Sequence, residues 1–132
     1  MPPGGLYPLL TASVVPRPIA WVSTVSAEGV ANLAPYSFFS VSSPNPPVVQ
    51  FTSVGRKDSL RNIEATGEFV INLATAHMVE QINASSAGYE HGVSELEALG
   101  IASEPSEKVA PPRVAESPVA IEATLHRIIE VG

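Results

Sequence analysis

The chain has 132 residues, the span of a single domain over 1–132 and enough to bury a core without staples. Its formal net charge of −6 excludes a nucleic-acid backbone as partner, since phosphate contacts need basic surface. The absence of cysteine excludes disulfides, thiolate chemistry and cysteine zinc sites, and fits a reducing, cytoplasmic setting.

The start, Met1-Pro2-Pro3-Gly4-Gly5, lacks the basic residues and apolar run of a signal peptide. Residues 19–25 give the first strong strand signal, dense in β-branched and aromatic side chains. Residues 26–29 form a turn, with Gly29 free to take positive φ, and residues 30–36 return as the second strand of a hairpin. Residues 37–43 continue extended or irregular. Pro44-Asn45-Pro46-Pro47 forces a break, and residues 48–52 make a third strand. Residues 29–55 carry no charge, as a membrane span would. Pro35, Pro44, Pro46 and Pro47 interrupt that run, so it reads as strands and turns buried in protein, with no membrane contact.

After a short loop over 53–55, a helix is predicted over 58–66, with Asp58 as N-cap and Gly67 as its stop. Residues 69–73 form a fourth strand. Residues 78–86 read as a helix with Met78, Val79 and Ile82 on its apolar face. Ser94 and Glu97 have the spacing of a capping box for a short helix through Leu99. Residues 102–118, rich in Pro, Ser and Glu, read as a surface connection. Residues 119–129 look like a final long strand with Ile121, Ala123 and Leu125 on one face. Successive hairpin strands with few helices favour an antiparallel barrel over a doubly wound sheet.

Two segments carry chemistry. Only seven residues are Lys or Arg, and three of them, Arg56, Lys57 and Arg61, fall within six positions. They sit in Ser53-Val54-Gly55-Arg56-Lys57-Asp58-Ser59, at a predicted helix start. Free backbone N–H groups, the helix dipole, two basic side chains and two hydroxyls make this an anion site. The alternative is a solvated loop before a capped helix. The second segment, Asn32-Leu33-Ala34-Pro35-Tyr36-Ser37-Phe38-Phe39, sets apolar and aromatic walls beside a few polar groups, which suits a flat heteroaromatic ring. Core packing and turn formation are the alternative there. His77, His91 and His126 are far apart, without metal-ligand spacing. No acid–base pair stands out, and no catalytic side chain is assigned.

These segments belong to a wider pattern. Arg17-Pro18-Ile19-Ala20-Trp21-Val22-Ser23-Thr24-Val25, residues 29–32, Ala34-Pro35-Tyr36-Ser37-Phe38-Phe39, Pro46-Pro47, Arg56-Lys57-Asp58-Ser59, Gly67-Glu68-Phe69-Val70-Ile71-Asn72-Leu73 and Ser117-Pro118-Val119 together resemble the flavin reductase-like family. That family includes flavoredoxins and the reductase components of two-component monooxygenases. The resemblance covers nearly the whole chain. It implies a mainly β fold, an antiparallel split β-barrel of Greek-key type with a few flanking helices. It implies a homodimer with FMN near the subunit interface, FAD being the other possible flavin.

By position, Asn32, Ser37, Phe38 and Phe39 are expected near the isoalloxazine ring or ribityl chain, with Thr52 and Ser53 following along the cofactor. Arg56, Lys57 and Ser59 are expected at the phosphate, and Asp58 is expected to organise the loop. Relatives often carry Thr in place of Ser59, which keeps the hydroxyl. Family domains usually continue past the equivalent of Val131-Gly132 with further strands, so this chain reads as truncated at its C-terminus. The implied activity is hydride transfer from NADH or NADPH to flavin, which then serves a monooxygenase or another redox partner. The nicotinamide would stack on the flavin, since no Gly-x-Gly-x-x-Gly fingerprint is present. The alternative is an FMN-containing electron carrier without nicotinamide activity.

Overall fold

A computed structural model describes residues 3–55, 57–86 and 94–131 of the chain. It opens with helix α1 (Pro3–Ser13). Strands β1 (Ala20–Val25) and β2 (Ala31–Tyr36) form the first hairpin, and β3 (Phe39–Pro44) and β4 (Pro47–Phe51) the second. Helix α2 (Asp58–Thr66) leads into β5 (Glu68–Leu73). A single 3-10 turn (Ala76–Met78), α3 (Val79–Ser85) and the one-turn α4 (Glu95–Ala98) follow. The short strands β6 (Ser103–Glu104) and β7 (Arg113–Val114) precede β8 (Ala120–Thr124).

The main sheet has four antiparallel strands in the order β2-β1-β5-β8, with β3–β4 and β6–β7 as separate two-stranded ladders. The strands do not close into one ring, and the architecture is a split β-barrel with flanking helices. β1 is central and buried on both faces, which is why its sequence is apolar almost without alternation. Trp21 points to one face, where it packs with Leu33, Met78, Ile82, Leu96, Ile101 and Val114. Val22 points to the other, joining Ala20, Tyr36, Ile63, Phe69 and Ile71, with Phe39, Val49 and Phe51 of the second hairpin against them. The first turn is closed by the Gly29 N–H to the Ser26 carbonyl, with Gly29 at φ 86° as expected.

Two hydrogen-bond anchors tie the layers together. The Trp21 indole donates to the Ser85 hydroxyl at 2.9 Å, fixing α3 to the sheet. Asn72 is fully buried; its amide donates to the Trp21 carbonyl at 2.9 Å and its oxygen accepts from the Val114 N–H at 2.8 Å. That second bond draws the 102–118 segment inward.

Several expectations need correction. The 102–118 segment is not only surface: Pro111 is fully buried, Val114 is 3% exposed, and β6 and β7 pair within it. Its polar composition hid an anchor that lies 42 residues away, at Asn72. The final strand ends at Thr124, well before Ile129, because its partner β5 begins at Glu68; one more backbone bond, from the Leu125 N–H to the Gly67 carbonyl, follows the last pair. Ile121, Ala123 and Leu125 do share a core-facing side. Val79 is exposed, since α3 starts only after the 3-10 turn, while Met78 and Ile82 are buried. Ser94 stands at the start of α4 without making a capping bond. The uncharged 29–55 stretch is not wholly buried: Val41 is 69% exposed on the second hairpin. The proline cluster there serves as the hairpin turn, with Pro44 opposite Pro47.

α1 was not expected. Two glycines and an internal Pro8 argue against a helix by propensity. Its end is held instead by Arg17, whose guanidinium donates to the Thr11 and Val14 carbonyls. Among the described residues, no helix is long and apolar enough to cross a membrane, and no three His, Asp or Glu side chains gather as a metal site.

Candidate functional site

An open cavity of about 400 Å³ lies between the end of α1 and the second hairpin. That volume falls within the usual range for small-molecule sites. Ser37, Phe38 and Phe39 enter it from the β2–β3 connection, and Thr52 from just after β4. The two connections are joined by the Thr52 N–H, which donates to the Phe38 carbonyl at 2.9 Å. Four of the ten expected site residues therefore line one cavity.

Arg17 lines it too and was not among the expected residues. Its guanidinium carbon lies 5.8 Å from the centre of the Phe38 ring, within cation–π range. Its Nε is buried and makes no hydrogen bond among the described residues. Arg17 stands well apart from the 56–61 cluster, and the helix that it caps was unrecognised, so nothing local marked it.

The second group begins at the residue after Thr52. Ser53 donates its hydroxyl proton to the Gly55 carbonyl at 2.9 Å, which shapes the loop, and Gly55 takes φ 87°. Lys57, not Asp58, occupies the N-cap position of α2, in extended conformation and without a side-chain cap. Asp58 is the first helical residue and pairs with Arg61 at 3.2 Å. That placement corrects the N-cap assignment; a carboxylate in the first turn still favours the helix dipole. Ser59 is 2% exposed. The Lys57 ammonium stands 5.8 Å from the Tyr36 ring centre. Arg56 and His91 lie outside the described residues; His77 and His126 are exposed.

Asn32 is the expected residue that this arrangement sets apart. It is 2% exposed, does not line the cavity, and pairs in register with Thr24 across the hairpin. Thr24 in turn accepts from the Asn62 amide of α2 at 3.0 Å.

Electrostatically, the buried Glu95 faces the same strand from the opposite core. Its carboxyl accepts from the Leu33 N–H at 3.0 Å, and burial holds its pKa above the usual carboxylate range.

An anionic ligand with a planar ring fits these residues. The cavity offers Phe38, Phe39 and hydroxyls for a ring and its polar edge. The Arg17 guanidinium lies on its wall, and the basic helix start follows the wall residue Thr52 in the chain.

The comparisons with known proteins agree in coverage and in shape. Residues 12–132 match the flavin reductase like domain. A protein of Deinococcus radiodurans without a described function is 40% identical over 141 residues, covering 100% of this chain and 62% of that protein. The structure of nitrilotriacetate monooxygenase component B from Bacillus cereus superposes with a TM-score of 0.93 at 36% identity, covering 100% of this chain and 67% of that one. That of the 2-nitrobenzoate 2-nitroreductase of Pseudomonas fluorescens gives 0.90 at 36% identity, covering 98% and 64%. The chain thus spans less than two thirds of the length of the Deinococcus and Pseudomonas proteins. With the match running over nearly all of its residues and the fold superposing closely, the chain belongs to the flavin reductase-like domain family.

Proposed function

We propose that this chain binds FMN and brings it together with NADH or NADPH for hydride transfer. The observation that carries this reading is continuity. Thr52, which walls the cavity with Ser37, Phe38 and Phe39, is followed directly in the chain by Ser53, where the anion loop starts. One ligand with a ring at one end and a phosphate at the other spans both. FMN supplies the hydride-accepting chemistry, and the protein supplies position and charge. Phe38 and Phe39 exclude water from one side of the ring. Arg17 directs its free N–H at the polar edge of the ligand. Lys57 and Ser59 hold the phosphate end with the first amides of α2, and Arg56 adds charge from the same loop.

The names of the neighbours at 36% identity, a nitroreductase and a monooxygenase component, fit a redox role. A monooxygenase or another acceptor would then take the electrons. A reducing cytoplasmic setting is part of the same reading.

A second copy of the chain completes the site. The exposed apolar side chains Leu6, Leu9, Leu10, Val14 and Val15 belong to or follow a helix without a charged residue. Val14 also lines the cavity, and Tyr7 of α1 meets Phe38 edge-on at 6.4 Å. Covering α1 therefore also closes the cavity.

The test is to incubate the protein with FMN or FAD, remove free ligand by gel filtration, and then add NADH or NADPH without oxygen. Retained flavin absorption that bleaches with one nucleotide is the expected result. Retention without bleaching by either would make the protein an electron carrier. A folded, colourless protein would overturn flavin binding.

A further inference from the structure

Tyr36 is the last residue of β2 and directly precedes Ser37 of the cavity wall. Its ring is core: it is 4% exposed and lies 4.7 Å from the Phe51 ring, centre to centre. That packing needs only a ring, and phenylalanine would serve it equally. The hydroxyl has a different status. Its oxygen is buried and makes no hydrogen bond among the described residues, a standing cost to folding.

The surroundings of that hydroxyl belong to the anion loop. Ser59 and Ser53 lie close enough to act on it, and the Lys57 ammonium stands over its ring. Ser53 has already committed its proton to Gly55. Ser59 lies in the first turn of α2, a helix of nine residues whose N-cap residue provides no side-chain cap. Burial raises the Tyr36 pKa; the Ser59 and Ser53 hydroxyls pull it only part of the way back, and Glu95 and Asp58 add repulsion to the phenolate. The phenol therefore keeps its proton at neutral pH and is able to donate it. The first-turn amides of α2, an ammonium and a phenol proton form a donor-rich cluster, as a phosphate monoester requires.

We propose that Tyr36 donates a hydrogen bond to the phosphate monoester of the bound cofactor from beneath loop 53–59, and so helps the site distinguish FMN from riboflavin. The identity of the cofactor rests on the function proposed above; the donor chemistry rests on Tyr36 and its neighbours.

The test compares the protein with Tyr36→Phe in three measurements: dissociation constants for FMN and riboflavin, binding of inorganic phosphate, and the melting temperature without ligand. The variant should weaken FMN binding about ten-fold, the usual effect of one hydrogen bond to a charged group. Riboflavin affinity should not change. Its melting temperature should match or exceed that of the parent, because an unpaired buried hydroxyl has been removed. Equal weakening of FMN and riboflavin, or no change in FMN binding, would overturn the proposal. A less stable or unfolded variant would place the hydroxyl in the fold and overturn it as well. Should the parent bind no flavin, the cofactor assignment fails and phosphate decides the rest. Phosphate binding weakened by the variant keeps Tyr36 as donor; phosphate binding that is absent or unaltered removes it.

Discussion

Arg17 joins two tasks in one side chain. One terminal nitrogen holds the Thr11 and Val14 carbonyls, which would otherwise be left open at the end of α1. Its Nε is buried without a hydrogen-bond partner among the described residues, and the guanidinium lies over the Phe38 ring. The tasks separate by substitution. Arg17→Lys keeps a cation able to reach the carbonyls but has no second donor nitrogen to serve the cavity as well. It should lower flavin affinity several-fold while changing stability by less than about 0.5 kcal/mol. Arg17→Ala should lose both, with flavin affinity down about ten-fold and stability down by about 1–2 kcal/mol. Titration with FMN and urea denaturation of the two variants check this, and equal flavin affinity in all three proteins would remove Arg17 from the site. The residue was visible in the sequence as part of Arg17-Pro18-Ile19-Ala20-Trp21, but its role was not. The carbonyls it serves belong to a helix that Gly4, Gly5 and Pro8 disguise. By contrast, Ser37, Phe38, Phe39 and Thr52 were legible as a group, since each lies at or beside a strand end. Asn32 shows the limit: a polar residue in a strand reads alike whether it faces a ligand or, as here, is buried beside the contact between β1 and α2.

At the scale of elements, local signals worked where pairing is local. β1, β2, β4, α2 and β5 all fall within a residue or two of the expected bounds. Loop 105–112 shows why other parts were illegible. Glu122 of β8 accepts from the Glu107 N–H at 3.0 Å and from the Lys108 N–H, and Glu68 of β5 accepts from the Ala110 N–H at 3.0 Å. Two carboxylates thus hold a run of backbone donors. Those backbone hydrogen bonds keep the Glu122 pKa below its usual value of 4.5. A depressed carboxylate contributes stability above its unfolded pKa and loses it as pH falls through its folded value. Hydrogen exchange at Glu107, Lys108 and Ala110, corrected for intrinsic rates, should therefore accelerate below about pH 4.5, before the main sheet opens. Glu122→Gln should produce the same local acceleration at neutral pH. Protection that follows the global transition instead would show that the loop does not open on its own. Pro, Ser and Glu in sequence suggest solvent; here the glutamate that organises the loop lies on another strand.

For the whole molecule, only 15% of the residues are charged, against about 25% in a typical soluble domain, and part of the surface is apolar. Leu9 and Leu10 of α1 are exposed, at 51% and 60%, and Ile129 and Val131 lie open near the other end of the chain. With a second copy over α1, Leu10→Glu should shift the protein from dimer to monomer in sedimentation velocity. Flavin retention should fall with it, and monomer stability should change by less than about 0.5 kcal/mol, since the site is exposed. A parent protein that sediments as a monomer would refute the pairing. The overall barrel was legible because the family pattern runs along the chain; which surfaces remain open was not, because exposure depends on contacts that no short segment encodes.

The single tryptophan gives the molecule an internal lamp. Trp21 lies in the strand shared by both cores, is fully buried, and is bonded through its indole to Ser85. Its emission reports on one environment only. Loss of the α3 layer should redden it as water reaches the indole, and a flavin held across the sheet should dim it by energy transfer. Folding and ligand capture can therefore be followed in one cuvette, at separate wavelengths, without a label.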